Sequence, residues 1–128
     1  MKIVTGNFAN VKKYREVGYC TVSIALSARY YSGERMPELA PKREWINEPE
    51  KIYTPLYISE ILGKLNPLTI FNRLNALSNG KNVVLLCHEK EGDFCHRRIV
   101  AKWLEENLNI EVPELGKMKP KDLFASLV

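Results

Sequence analysis

The sequence predicts an α/β fold. The expected form is a single small three-layer-like domain over residues 1–128, with a mostly parallel sheet of about four strands flanked by helices. Three observations predict it. "KNVVLLCHE" (81–89) carries four consecutive apolar residues, Val83 to Leu86, as a central parallel strand covered on both faces does. Amphipathic patterns of helical period stand before and after that run. Strand-like and helix-like segments alternate along the chain, with no internal repeat and no low-complexity stretch.

The elements follow in order. "KIVTG" (2–6) reads as a short strand, and residues 8–17 as a short helix with Phe8, Val11 and Tyr14 at helical spacing and Gly18 as its stop. "YCTVSIAL" (19–26) is β-branched and apolar, a second strand. Residues 27–52 show no period and hold Gly33, Pro37, Pro41 and Pro49, so a long loop is expected there. Residues 55–64 read as a short helix. Asn66 is a natural N-cap and Pro67 a natural first residue for the next helix. Its buried stripe is Leu68, Ile70, Phe71, Leu74 and Leu77, and Gly80 ends it. The strand 81–89 comes next, then a helix over 95–108 with Ile99, Val100, Trp103, Leu104 and Leu108 inward. "NIEV" (109–112) is a candidate last strand, and "KPKDLFASLV" (119–128) a candidate terminal helix with Pro120 near its start.

Hydrophobic content of 45% and charged content of 27% are ordinary for a soluble globular domain. The longest uncharged apolar run is far short of the roughly 20 residues of a membrane span. "MKIVTGNFAN" has too short an apolar run for a signal peptide, so the expected location is cytoplasmic, with no membrane partner. Three cysteines, an odd number, are then expected as reduced thiols. The net charge of +4, from 19 Lys plus Arg against 15 Asp plus Glu, suits a small anionic ligand or nucleic acid as partner, although many proteins without one carry such an excess. No cofactor is predicted, and the oligomeric state is not readable.

The chemistry concentrates in "CHEKEGDFCHRR" (87–98). In parallel sheets ligands collect outside the carboxyl ends of the strands. Strand alternation puts Cys87 and Glu89 on one face and His88 on the other. Asp93 is a candidate N-cap, and Cys95, His96, Arg97 and Arg98 fall in the first helical turn, where backbone N–H groups favour anions. At about 100° per residue, His96 lies mid-stripe, Arg97 at the stripe's edge past Leu104, and Arg98 most nearly away from it. Arg97 is therefore the candidate to grip a phosphate or carboxylate, and Arg98 a solvated charge. Four readings compete. Cys95 is a nucleophile with a lowered pKa, or a small buried residue at a helix start. Cys87, His88, Cys95 and His96 bind zinc, which the opposed directions of adjacent strand residues and the lack of a C-x-x-C oppose. A cysteine-phosphatase loop would need Arg six positions after a cysteine, where Asp93 and Ala101 stand. Lastly, His96 is a core histidine bonded to backbone.

"VVLLCHEKEGDFCHRRIVAKWL" (83–104) resembles the signature of the family called domain of unknown function 488. That signature is an apolar strand ending Leu-Leu-Cys-x-Glu, here Leu85, Leu86, Cys87 and Glu89, then Cys-His-Arg opening a helix, here Cys95, His96 and Arg97. The N-terminal part matches more thinly, with "KIVTGNF", Gly18 and "ALSAR" ending at Arg29; Ser27 stands where the family has Asp. If that carboxylate is an acid or base in relatives, its role is lost or altered here. The resemblance implies a compact α/β fold and no established reaction.

Residues 29–57 interleave Arg29, Arg35, Lys42 and Arg43 with Tyr30, Tyr31, Trp45, Tyr53 and Tyr57, as base stacking with phosphate contact requires, or as aromatics covering a core edge. The leading expectation is a small protein that binds or acts on a nucleotide, nucleobase or other phosphate-bearing ligand. Its cleft at the strand ends would be formed by Arg29, Cys87, Glu89, Cys95 and Arg97. Arg29, Arg97, Cys87, Tyr30 and Tyr31 are the candidate ligand contacts; Cys95, Glu89 and His96 are the candidate catalytic residues; no metal ligand is assigned. An enzyme is favoured over a non-catalytic module for nucleic acid or a signalling nucleotide, and over a protein–protein adaptor, with no reaction class assigned.

Overall fold

Residues 1–89 and 93–115 are described by a computed structural model, organised on four parallel strands. These are β1 (Ile3–Asn7), β2 (Cys20–Ser23), β3 (Glu34–Arg35) and β4 (Val83–Cys87), in the sheet order β1-β4-β2-β3. The apolar run at 83–86 lies where its composition demands. Every residue of β4 is buried, with β1 paired from Ile3↔Val83 to Asn7↔Cys87 and β2 from Cys20↔Val83 to Ser23↔Leu86.

The helices are α1 (Val11–Glu16), α2 (Glu50–Glu60), α3 (Pro67–Ser78) and α4 (His96–Leu108). Alternation along β4 sorts the core into two layers. Val83 and Leu85 pack with Tyr53 and Tyr57 of α2, Ile70 and Leu74 of α3, and Val100 and Leu104 of α4. Val84 and Leu86 face the other way, onto Val4, Tyr14 of α1, Tyr19 and Leu115. The result is a small α/β domain with helices on both faces of the sheet. Among the described residues, no helix is long and apolar enough to cross a membrane.

The caps explain where α3 runs. The Asn66 side chain accepts from the N–H groups of Leu68 and Thr69, at 2.9 and 3.1 Å, and Pro67 takes the first helical position. The helix stops one residue earlier than Gly80, because Asn79 already adopts the left-handed conformation (φ 54°).

Several elements differ from the sequence expectation. The stretch 27–52 contains β3 and 3₁₀ turns at 37–39 and 43–45, and α2 begins at Glu50. Trp45, Tyr53 and Tyr57 are buried in the core, in keeping with the reading of aromatics that cover a core edge rather than with base stacking. Residues 109–112 form no strand: Asn109 turns the chain in the left-handed conformation, and one isolated parallel bridge, Thr5↔Glu114, is the sheet contact there. Cys95, not Asp93, is the N-cap of α4. The candidate helix at 119–128 and loop residues 90–92 lie outside the described residues.

Candidate functional site

The end of β4 distributes its side chains across the sheet. Cys87 continues the face of Val83 and Leu85, toward α2 and α4, whereas His88 stacks on Phe8 on the α1 side, with ring centroids 4.8 Å apart. His88 Nε2 lies 2.6 Å from the carbonyl of Ser27, which can only accept, so that nitrogen carries the proton. The backbone oxygen of Ser27 thus fixes the His88 ring.

On the α2/α4 face, Cys87 and Cys95 are joined by a disulfide. This corrects the expectation of reduced cysteines; Cys20 is the free one. The cause is local. Cys95 is extended (φ −155°, ψ 148°) and His96 is helical, so the chain turns sharply between them and sets Cys95 against the strand end. The same turn lets two adjacent side chains converge. His96 Nδ1 lies 3.5 Å from Cys87 Sγ and 3.6 Å from Cys95 Sγ.

His96 is also held from behind. Its Nε2 lies 2.6 Å from the carbonyl of Ile24, again a pure acceptor, so the proton is on Nε2 and the Nδ1 lone pair faces the two sulfurs. Burial pushes its pKa down to about 4; the Ile24 bond opposes this, and the charges of Arg97 and His88 add to it. His96 is therefore a backbone-bonded histidine of the interior whose other nitrogen reaches the sulfurs. Glu89 Oε2 stands 3.0 Å from Cys87 Sγ. Aromatic rings wall this centre: Tyr57 lies 5.3 Å from the His96 ring, and Phe94 meets Tyr53 edge-on at 5.2 Å. Burial raises the Tyr53 pKa, and the Glu89 carboxylate raises it further.

The expected cleft is thus two recesses that share His88 as a wall. The smaller, about 140 Å³, is lined by Cys87, Glu89, Cys95 and His96 with Tyr53 and Phe94. The larger, about 560 Å³, lies on the α1 side and is lined by Arg15, Arg29, Tyr30 and Tyr31 with Phe8 and His88. Tyr30 is 93% exposed, whereas the Tyr31 hydroxyl bonds the Thr21 carbonyl and its ring lies under the guanidinium groups of Arg15 and Arg35.

Arg97 lines neither recess. Its side chain is fully buried, with Nε 2.6 Å from Glu114 Oε1 and Nη1 donating to the carbonyl of Glu89 at 3.0 Å. It braces the strand end from below. Arg98, expected in solvent, donates instead to Thr5 Oγ1 and the Val112 carbonyl, at 2.9 and 2.8 Å.

Phe8, Phe94 and the Ile24 carbonyl are site components that the sequence reading did not place, and Tyr53, read as part of the 29–57 stretch, walls the sulfur centre instead. For Tyr53 and Tyr57 a signal existed: their spacing of four puts both on one face of a helix.

The DUF488-N3a family model, described as the active DUF488-N3 subclade, matches residues 11–108, which is 98 of the 128 residues. The chain belongs to this family. The match takes in β4, the disulfide centre and most of both recesses, so the strand-end site of this DUF488-N3a protein is inside the family region. No curated protein and no solved structure matches the chain.

The disulfide makes a stability prediction for this DUF488-N3a chain. It closes a loop of sequence separation 8, for which chain entropy gives about 2.5 kcal/mol. Urea unfolding with and without a thiol reductant should show a loss of that order, unchanged in Cys20→Ser. Equal midpoints in both conditions would show that the bond is not formed.

Proposed function

We propose that this DUF488-N3a protein binds a nucleotide or related phosphate-bearing aromatic ligand in the larger recess and acts on it through the neighbouring sulfur centre. The carrying observation is the lining of that recess: Arg15 and Arg29 beside Phe8, Tyr30 and Tyr31, at the carboxyl ends of β1, β4 and β2. Guanidinium groups match phosphate oxygens in pairs, and the exposed Tyr30 ring offers a stacking face to a base. The volume of about 560 Å³ falls in the range of small-ligand pockets.

The description of the subclade as active is in keeping with an enzyme. In the reduced centre, Glu89 is placed to take the Cys87 proton, and the His96 Nδ1 lone pair that of Cys95. Cys95 is then the nucleophile candidate with His96 as its acid–base partner, and Glu89 serves the neighbouring Cys87. Arg97 serves as a positioning residue through the Glu89 carbonyl.

Calorimetric titration with nucleoside mono- and triphosphates tests the reading. Arg29→Ala should weaken binding by roughly 10-fold or more, the scale of a lost charged hydrogen bond, and Arg43→Ala should not. Equal affinity in wild type, Arg29→Ala and Tyr30→Ala would remove the recess from the function. Binding only to oligonucleotides, with steep salt dependence, would favour a nucleic-acid module instead.

A further inference from the structure

The sulfur centre offers more than a disulfide. We propose that, once reduced, it holds a divalent zinc-class cation through Cys87 Sγ, Cys95 Sγ and His96 Nδ1, leaving a fourth position open beside Glu89.

Geometry is the first support. A tetrahedral ion with sulfur at about 2.3 Å and nitrogen at about 2.0 Å sets sulfur–nitrogen edges of about 3.5 Å. The two edges present are 3.5 and 3.6 Å. The three donor atoms all lie within 4.8 Å of one another, and all three residues are buried. Only the sulfur–sulfur edge has to open, from bonded contact to about 3.8 Å for a tetrahedral pair.

The histidine supplies the second support. A metal-binding imidazole characteristically donates its other N–H to a carbonyl or carboxylate, which fixes the ring and raises the basicity of the ligating nitrogen. His96 does this with the Ile24 carbonyl at 2.6 Å, and its Nδ1 lone pair is already turned to both sulfurs. Charge is the third. Two thiolates and one neutral imidazole around a dication sum to zero, which a buried site tolerates. The softness of the set, two sulfurs and one nitrogen, selects zinc over magnesium or calcium.

The objection from sequence concerned adjacent residues pointing apart. It holds for Cys87 and His88, and His88 indeed serves the other face. It does not hold for Cys95 and His96, because the backbone changes from extended to helical between them.

The step balances. Two thiols of a reductant give two electrons and two protons to the Cys87–Cys95 bond and leave joined as their own disulfide. The cation then displaces one proton from each cysteine and takes the Nδ1 lone pair, so two protons are released and none comes from His96. The inference does not rest on the nucleotide recess, which uses other side chains; in the metal-bound centre Cys95 and His96 are ligands, so the nucleophile and base roles proposed for them belong to the reduced, metal-free centre.

Cobalt(II) is the probe, added anaerobically to the full chain after reduction and removal of the reductant, with three titratable thiols as the check. The expected result is one cobalt per chain, with thiolate-to-cobalt charge-transfer bands and the visible bands of a tetrahedral ion, both lost on adding zinc. The oxidised protein should show none. Cys95→Ser and His96→Ala should each bind at least about 10-fold more weakly, with far-UV circular dichroism confirming their fold. Cys20→Ser and Arg29→Ala should leave the spectrum unchanged. Absence of these bands in the fully reduced wild type, their loss in Cys20→Ser, or undiminished binding in folded Cys95→Ser would each overturn the proposal.

Discussion

Replacing Arg97 with alanine is expected to destabilise the protein by about 3–5 kcal/mol, the cost of breaking a buried ion pair by removing one partner. The guanidinium is fully buried, and Glu114 opposite is nearly so, with Nε and Oε1 2.6 Å apart. Without Arg97 the Glu114 carboxylate loses the guanidinium opposite it, and the Thr5 hydroxyl, 3.5 Å away, does not replace that charge. The Glu89 carbonyl also loses a donor, so the end of β4 loosens with the core. Against a total stability of about 5–15 kcal/mol for a domain, this is a large share. Arg97→Lys should not rescue, since one ammonium cannot replace a planar fork reaching both the Glu114 carboxylate and the Glu89 carbonyl. Removing both charges, as Arg97→Ala with Glu114→Ala, should cost less than the sum of the single changes. Urea unfolding of wild type, Arg97→Ala, Arg97→Lys, Glu114→Ala and the double alanine variant measures this; a loss under about 1 kcal/mol for Arg97→Ala would contradict a buried pair.

Stability should also fall on mild acidification, through His96. In the folded chain its pKa is about 4, against an ordinary value of 6.5. Above the ordinary value the residue is neutral in both states and its burial costs nothing in protons. Between the two values the unfolded chain takes up a proton that the folded chain refuses, so unfolding gains. Stability is therefore full above about pH 6.5 and declines as pH falls toward about 4. The loss reaches roughly 3 kcal/mol at the acid end. Denaturation midpoints for wild type and His96→Gln across this range check the expectation. The glutamine keeps a donor near Ile24 without titrating, so its curve should be flatter; parallel curves would exclude His96 as the source.

The sequence made some of this legible and hid the rest for definite reasons. Val83 to Leu86 announced the central strand because four apolar residues in succession have only one common use in a sheet with two covered faces. Asn66-Pro67 announced α3 because capping is local chemistry. The division between Cys87 and His88 followed from strand alternation. By contrast, β3 is two exposed charged residues, Glu34 and Arg35, which carry no apolar signal. The start of α2 was obscured by Pro49, its N-cap, and Pro55 inside it. Arg97 sits at the edge of an apolar stripe, a place from which a long side chain can reach solvent or a buried partner. Its partner Glu114 stands 17 positions later, in a segment with no pattern of its own. The disulfide depends on how the turn into α4 brings Cys95 back to β4, which spacing alone does not state.

The placing of β4 between β1 and β2 governs how the chain reaches this state. Among the described strands β1 borders β4 alone, and the pairing of Ile3 with Val83 spans 80 residues. During synthesis, β1 has its backbone donors and acceptors formed long before their partner emerges. β2 and β3 can pair earlier, but β1 joins them only when β4 arrives between β1 and β2. Such long closures make folding slow relative to chains rich in local contacts. The strand that carries Cys87 and His88 is thus also the one whose arrival completes the sheet.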